Sequence, residues 1–377
     1  MNSSKKLESI SDLMELHLVG GFLGSGKTTA IIQAVRLLIA DGLRVGIITN
    51  EQGKHLVDTA FLRKQGLPTL EVAGGCFCCH LDDFKGRLEE ITKRFNPQVV
   101  FAESVGSCTD LVATVVKPFI YYQNQSFQLT SLSVFTDSRL LLRYLRRQEL
   151  PFSDSIIYIF EKQIEEAGLL VINKTDLLSI TEVDEVVQTA CLHFPGKIIL
   201  PQNSLDESQV IKWLSHIRSP GFALPKSSLI LDYDAYAAGE GRFAWLDREL
   251  EIDVSASALG DTAAALIRDI KNGLLHTEAC LAHLKFLVSS GDESVKVNLT
   301  ALDDTANLAD LAKVRSLSGS QLRLTVNAMF EGDLKMLSSR LDNIIEKFAH
   351  ENGVDIKVKA RFDRAPGYPH PTMRITN

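Results

Sequence analysis

Apolar positions along this chain follow two periods in alternation. Residues 14 to 20, Met-Glu-Leu-His-Leu-Val-Gly, read as a buried strand that runs into a glycine-rich loop, and Lys27 to Ala40 then carries apolar residues at helical spacing. Further apolar strand candidates lie at 44 to 49, 98 to 102, 130 to 135, 168 to 172 and 197 to 200, separated by helical stretches such as 81 to 95. Strands alternating with helices predict an α/β fold with a mostly parallel sheet covered by helices on both faces. Between Ser219 and Arg242 the pattern breaks at Pro220, Pro225 and several glycines, which predicts a linker over 219 to 242 after a first domain of residues 1 to 218. Beyond it the order reads strand (243 to 254), helix (261 to 282), strands (284 to 289, 294 to 301 and 321 to 329), helix (333 to 350) and strand (354 to 362). That order predicts a smaller C-terminal α+β domain, 243 to 363, of ferredoxin-like kind with one strand more than the minimal version. Residues 364 to 377 are proline-rich and predict an extended tail.

Composition narrows the functional classes. The 377 residues are 45% hydrophobic and 23% charged, ordinary globular values that are long enough for two cores. A formal net charge of −7 supplies no diffuse basic field, so no nucleic-acid partner is expected. The opening Met-Asn-Ser-Ser-Lys-Lys-Leu-Glu has no apolar signal core, and no apolar run approaches the roughly 18 residues of a membrane span, so no membrane partner and a cytoplasmic location are expected.

Chemistry enters at the loop after the first strand. In Gly21-Phe-Leu-Gly24-Ser25-Gly26-Lys27-Thr28-Thr29 the glycines let successive amide N–H groups turn inward, and the next helix offers its positive end to an anion. Lys27 then reaches the outer phosphates and Thr28 supplies a hydroxyl to Mg²⁺, the arrangement of a P-loop NTPase. Asn173-Lys174-Thr175-Asp176 follows the apolar run 168 to 172, at the carboxyl end of a strand, where open α/β sheets bind ligands. Asp176 can accept two hydrogen bonds from guanine that adenine does not offer, and Lys174 can pack over the ring, so GTP is favoured over ATP. Glu103 ends another apolar strand and suits Mg²⁺, and Gly106 three residues on suits a γ-phosphate sensor. Glu51, at the end of the second strand, ranks behind Glu103 as a Mg²⁺ partner.

Three of the six cysteines crowd into four positions, Cys76, Cys78 and Cys79. Two residues spaced like Cys76 and Cys78 converge on one ion when the backbone is extended, and Cys79 adds a third soft donor. Such a set suits Zn²⁺, Cu(I) or Co²⁺ rather than Mg²⁺. His80 is the nearest candidate fourth donor and Glu51 a more distant one. Cys108 is left outside the set, since it can equally pack a core, and His276 and His283 are read as ordinary helical histidines. Redox switching of neighbouring thiols competes with metal binding.

Taken together, the loop from Gly21 to Thr29, Glu103-Ser-Val-Gly106, Asn173-Lys-Thr-Asp176 and the Cys76-x-Cys78-Cys79 cluster resemble the CobW-like metallochaperone GTPases, over about the first 220 residues. The resemblance implies a GTP-hydrolysing metallochaperone in which Cys76, Cys78 and Cys79 bind Zn²⁺, Co²⁺ or a similar ion for delivery to a client metalloprotein. A nucleotide-dependent homodimer is a further expectation. The alternatives are a GTPase chaperone for a corrinoid (cobalamin-dependent) enzyme and a redox-sensing module with a vestigial nucleotide site. Two departures stand out. The family's switch segment Asn-Glu-Phe-Gly-Glu reads Asn50-Glu51-Gln52-Gly53-Lys54 in this chain, and no histidine-rich stretch is present among its nine histidines.

Overall fold

Strands of this chain are apolar on both faces in the first half and on alternate residues in the second, and they sort accordingly into two sheets. The computed structural model describes residues 13–51, 57–73, 75–122, 127–219, 222, 224–255, 257–275, 277–303, 308–319 and 321–376. Seven parallel strands form the first sheet: β1 (Met14–Gly21), β2 (Val45–Glu51), β3 (Thr69–Ala73), β4 (Val99–Glu103), β5 (Phe127–Asp137), β6 (Leu169–Asn173) and β7 (Ile198–Gln202). Their order is β3-β2-β4-β1-β5-β6-β7. Leu16 and Leu18 of β1 enter the core on one face, and Val19 enters the core on the other. Helices such as Lys27–Ala40 and Leu81–Phe95 supply the crossovers that parallel pairing needs. The chain leaves β1 for strands on both sides of it, so the carboxyl ends of β1, β4 and β6 open onto the crevice where such sheets hold ligands.

The second sheet is antiparallel and comprises β8 (Phe243–Asp253), β9 (Cys280–Ser290), β10 (Glu293–Thr300), β11 (Gln321–Glu331) and β12 (Asp355–Arg364), in the order β10-β9-β11-β8-β12. Four of these strands with the helices Leu259–Leu275 and Leu334–Asn352 make the ferredoxin-like arrangement, and β10 extends its edge. Leu284, Phe286 and Val288 of β9 face those helices. Phe243, Trp245 and Met329 face the opposite way and join the core of the first unit, so one face of this sheet lies against the nucleotide-crevice side of the molecule.

Several elements differ from expectation. The helix expected over 261 to 282 ends at Leu275, because Cys280 to His283 pair with β11 and extend β9. Strand pairing here overrides the helical preference of Leu281 and Ala282. Helices Val57–Lys64 and Leu308–Arg315 and the short strand β3 escaped the periodicity reading, and helix Tyr233–Glu240 lies within the segment read as linker. Residues 365 to 376 carry no helix or strand, yet they are hydrogen-bonded to the first unit. His276 lies outside the described residues. No helix among the described residues is long and apolar enough to cross a membrane.

Candidate functional site

The loop after β1 is held open by left-handed glycines. Gly26 has φ 90°, and a Cβ there would lie 2.4 Å from the Asn173 amide nitrogen, so a side chain would both strain the turn and push Asn173 away. The helix that starts at Lys27 has no side-chain cap and no acidic residue in its first turn, which leaves its leading N–H groups to an incoming anion. Ser25 Oγ in the same loop is buried without a hydrogen-bond partner. Lys27 curls back, donating from Nζ to the carbonyls of Gly21 (2.8 Å) and Phe22 (3.2 Å). Burial draws its ammonium down to about 8, against the opposing pull of Glu103. An anion in the loop offers this buried cation a better partner than two carbonyls.

Beside the lysine, hard oxygens gather. Thr28 Oγ1 donates to Glu103 Oε1 at 2.9 Å and lies 3.4 Å from Asp58 Oδ2. Burial raises the Glu103 carboxyl above its ordinary range. Burial alone would raise Asp58 too, but Lys285 and Lys296 hold it well below the usual carboxylate range. Lys285 Nζ donates to Asp58 at 2.6 Å and Lys296 Nζ pairs with its other oxygen. Both lysines come from the second sheet, in β9 and β10. A hydroxyl and two carboxylates fit Mg²⁺, which prefers oxygen donors. Thr28 and Glu103 are legible from their motifs, whereas Asp58 stands in no motif. Glu51 ends β2, and its side chain, with residues 52 to 56, lies outside the described residues.

At the other end of the cleft, Asn173 ties the loop to the sheet. Its Nδ2 donates to Ser25 O at 2.7 Å, and its Oδ1 accepts from Ser204 N and Oγ after β7. Lys174 adopts φ 62° and pairs with Asp137 at 3.0 Å, while Asp176 is exposed at the cleft wall. The cleft is about 450 Å³ and is lined by Gly24 to Thr29, Glu103 to Gly106, Asn173, Lys174 and Asp176 from the first unit. His283, Lys285, Lys296, Asn298 and Thr300 of the second unit close its far side.

The cysteines sit one strand away. Residues 76 to 79 form a tight turn, with Cys79 N and His80 N both donating to Cys76 O. Asn50, next to the last residue of β2, pins it: Nδ2 donates to Val72 O (3.1 Å) and Gly75 O (2.5 Å), and Oδ1 accepts from Phe77 N (2.9 Å). Phe77 stacks on Phe84 at 4.0 Å, so the turn's apolar side is anchored in the core. The sulfurs of Cys76, Cys78 and Cys79 lie within 4.8 Å of one another, the only such group of three or more His, Cys, Asp or Glu among the described residues. Three soft donors on one point fit Zn²⁺ or Co²⁺. His80 rests its ring on Gly75 with Nδ1 buried and unpartnered, outside that group. Cys108, from the loop after β4, instead places its sulfur 3.6 Å from that of Cys78.

Residues 15–199 match the family model described as CobW/HypB/UreG, nucleotide-binding domain. Over this segment, just under half of the chain, the protein is similar to that family's nucleotide-binding domain. It is 30% identical over 189 residues to the "Zinc chaperone CobW" of Sinorhizobium sp, covering 45% of this chain and 53% of that protein. It is 25% identical over 209 residues to the "Urease accessory protein UreG" of Aliarcobacter butzleri, covering 52% of this chain and 95% of that protein. The "Zinc chaperone YeiR" of Escherichia coli is 29% identical over 167 residues, 42% of this chain and 46% of that protein. The chain thus spans about half the length of the zinc-chaperone relatives it matches. Among solved structures, hydrogenase maturation factor HypB from Archaeoglobus fulgidus has 18% identity over 55% of this chain and 90% of that one, with a TM-score of 0.38.

The segment that matches this family model is roofed by residues from the far end of the chain. Thr372 N donates to Cys78 O (3.0 Å) and Thr372 Oγ1 to Cys79 O (2.7 Å), while Arg374 Nε reaches Asp110 (2.7 Å) and Ile375 N reaches Ala113 O (2.9 Å). A second cavity of about 310 Å³ lies under this strap, bounded by Cys76, Cys79, His80, Tyr236 and Glu240. Pro366, Pro369 and Pro371 gave no sign of the docking, because the strap bonds through Thr372, Arg374 and main chain.

Proposed function

We propose that the chain is a GTP-hydrolysing metallochaperone that carries Zn²⁺ or Co²⁺ on Cys76, Cys78 and Cys79 and passes it to a client metalloprotein. The observation that carries the proposal is Asn50: one buried amide bonds the cysteine turn at Gly75 O and Phe77 N and β3 at Val72 O, and the same residue lines the cleft. In this reading Gly21, Gly24, Ser25, Gly26 and Thr29 line the phosphate loop, and Lys27 leaves the Gly21 and Phe22 carbonyls for the outer phosphates. Thr28 and Glu103 hold Mg²⁺, joined by Asp58 and Glu51, and Mg²⁺ supplies charge neutralisation at the phosphates when bound. Gly106 senses the γ-phosphate. Asn173 braces the loop, while Lys174 and Asp176 read guanine. Nucleotide state then biases the cysteine turn through Asn50, and by linkage metal biases nucleotide affinity equally. The reading includes a homodimer in the GTP state.

The test is paired. Purified protein is assayed for GTP hydrolysis with and without Zn²⁺, and for Zn²⁺ affinity with GDP and with a non-hydrolysable GTP analogue. The expected result is a turnover lost in Lys27→Ala and a Zn²⁺ affinity that differs between nucleotides by about fivefold or more. Absence of GTP turnover under every metal condition, or one Zn²⁺ affinity for all nucleotide states, refutes it.

A further inference from the structure

Cys108 belongs to the cleft by sequence and to the cysteine turn by position. It lies two residues after Gly106, in the loop that leaves β4 at Glu103, yet its sulfur faces Cys78 across a separation of 30 residues. We propose that Cys108 is the fourth sulfur ligand of the ion held by Cys76, Cys78 and Cys79, and that it ties the ion to the loop that senses nucleotide. The inference rests on the metallochaperone reading above and deepens it.

The spacing carries the argument. Four sulfurs at about 2.3 Å from a tetrahedral Zn²⁺ are separated from one another by about 3.8 Å. Cys78 Sγ lies 3.7 Å from Cys79 Sγ and 3.6 Å from Cys108 Sγ, and the Cys76 sulfur is within 4.8 Å of both turn partners. Cys108 stands outside the group of three that lie within 4.8 Å of one another and meets it through Cys78, at the edge length of a coordination tetrahedron, a spacing that mere packing of a core cysteine does not require. Cys108 is also buried, so its thiol is presented to the cluster and not to solvent. Each thiol that ligates releases its proton to water, and a four-thiolate set is the closed kind that holds an ion rather than leaving a position open.

The loop is built to transmit. Gln163 Nε2 donates to both Gly106 O (3.0 Å) and Cys108 O (2.8 Å), and Cys108 N donates to Val105 O (3.0 Å), so residues 105 to 108 form one braced turn. Gly106 touches the phosphate loop: a Cβ on it would lie 3.1 Å from the Leu23 Cα. A phosphate that displaces Gly106 therefore moves a metal ligand two residues away. Withdrawing Cys108 converts a closed four-sulfur site into an open three-sulfur one, the form from which a client can take the ion.

X-ray absorption on the zinc-loaded full chain counts the sulfurs directly. Four sulfurs are expected in the unmodified protein, and three with one nitrogen or oxygen in Cys108→Ser. Cys108→Ser should weaken Zn²⁺ by at least about tenfold, the smallest loss found even for groups that only orient a ligand, whereas Cys280→Ser should leave affinity unchanged. A GTP analogue should shift Zn²⁺ affinity in the unmodified protein and not in Cys108→Ser. Three sulfurs in the unmodified protein, a count that needs no variant to fold, overturns the proposal and leaves the metallochaperone reading standing. Failure of the unmodified protein to bind Zn²⁺ or Co²⁺ overturns both.

Discussion

Replacing Lys285 and Lys296 together by Met tests the joint between the two units. Asp58 is buried, and in the native protein two ammonium groups from the second sheet compensate its charge. Removing both leaves a carboxylate with only the weak Thr28 contact at 3.4 Å. Breaking a buried pair by deleting one side costs about 3–5 kcal/mol. Taking ~2.1 cal/mol/K per residue for the unfolding entropy, 377 residues give ~0.8 kcal/mol/K, so the double variant should melt about 4–6 °C lower. The pH dependence carries a sign as well. In the native protein Asp58 sits well below the usual carboxylate range, so its contribution is fully present above the ordinary, unfolded value of 3.8 and is lost as pH falls through the lower folded value. In the double variant burial is opposed by Lys27 but no longer by two direct ion pairs, and raises it, so the variant should recover stability as pH falls from 7 toward 5 while the native protein does not. Asp58→Asn added to the double variant should restore most of the loss. Melting of the nucleotide-free protein followed by circular dichroism at several pH values measures this. A double variant that melts within about 1 °C of the native protein, with the same pH slope, refutes the idea that these lysines hold a buried charge.

Burial pushes Glu166 up to about 8 from 4.5, and it accepts bonds from Thr109 Oγ1 and Val112 N behind the Cys108 loop. Its protonated form stabilises the fold below the unfolded value, and that contribution is lost as pH rises toward the folded one. Glu166→Gln should therefore flatten the fall in melting temperature between pH 5 and 8; an unchanged slope counts against a neutral Glu166. Asp176→Asn should cut GTP affinity by about tenfold or more while leaving the melting temperature of the nucleotide-free protein in place, because Asp176 is exposed and only the base contact is lost; equal GTP affinity in the variant removes it from the base site. Thr372→Val deletes the hydroxyl bond to Cys79 O but keeps the backbone bond to Cys78 O, and should speed Zn²⁺ removal by a chelator several-fold at little cost in stability, on the order of 1 kcal/mol. Unchanged chelation kinetics would show that the strap does not guard the cysteines.

Much of the nucleotide cleft could be read before any coordinates because its parts are local. A glycine loop between a strand and a helix, or Asn173 to Asp176 at a strand end, states its own geometry within ten residues. Asp58 could not be read that way. In the helix Val57–Lys64 it occupies a first-turn position where acidic residues are commonly solvated, and only the arrival of β9 and β10 makes it a buried partner. Lys285 and Lys296 are similarly disguised, since charges alternating with apolar residues on a strand ordinarily mark the solvent face. Here that face meets the first unit. Cys108 is silent in sequence because the meeting with Cys78 depends on how the β4 loop folds over the cysteine turn, a contact no spacing rule encodes. Pairing of β9 with β11 within the second sheet also ends the helix at Leu275, for the same nonlocal reason.

The strap over the cysteine turn also sets an order of events during synthesis. Thr372 covers Cys79 across 293 residues of chain. At about 5–20 residues per second, a ribosome needs about 15–60 s to make the cover after the thiols it protects. Throughout that interval Cys76, Cys78 and Cys79 exist without the strap, and Cys108 follows Cys78 by only 30 residues. On the metallochaperone reading, metal that enters during translation would meet uncovered thiols and metal that enters afterwards would have to pass the strap, so nascent and finished chains would load at different rates.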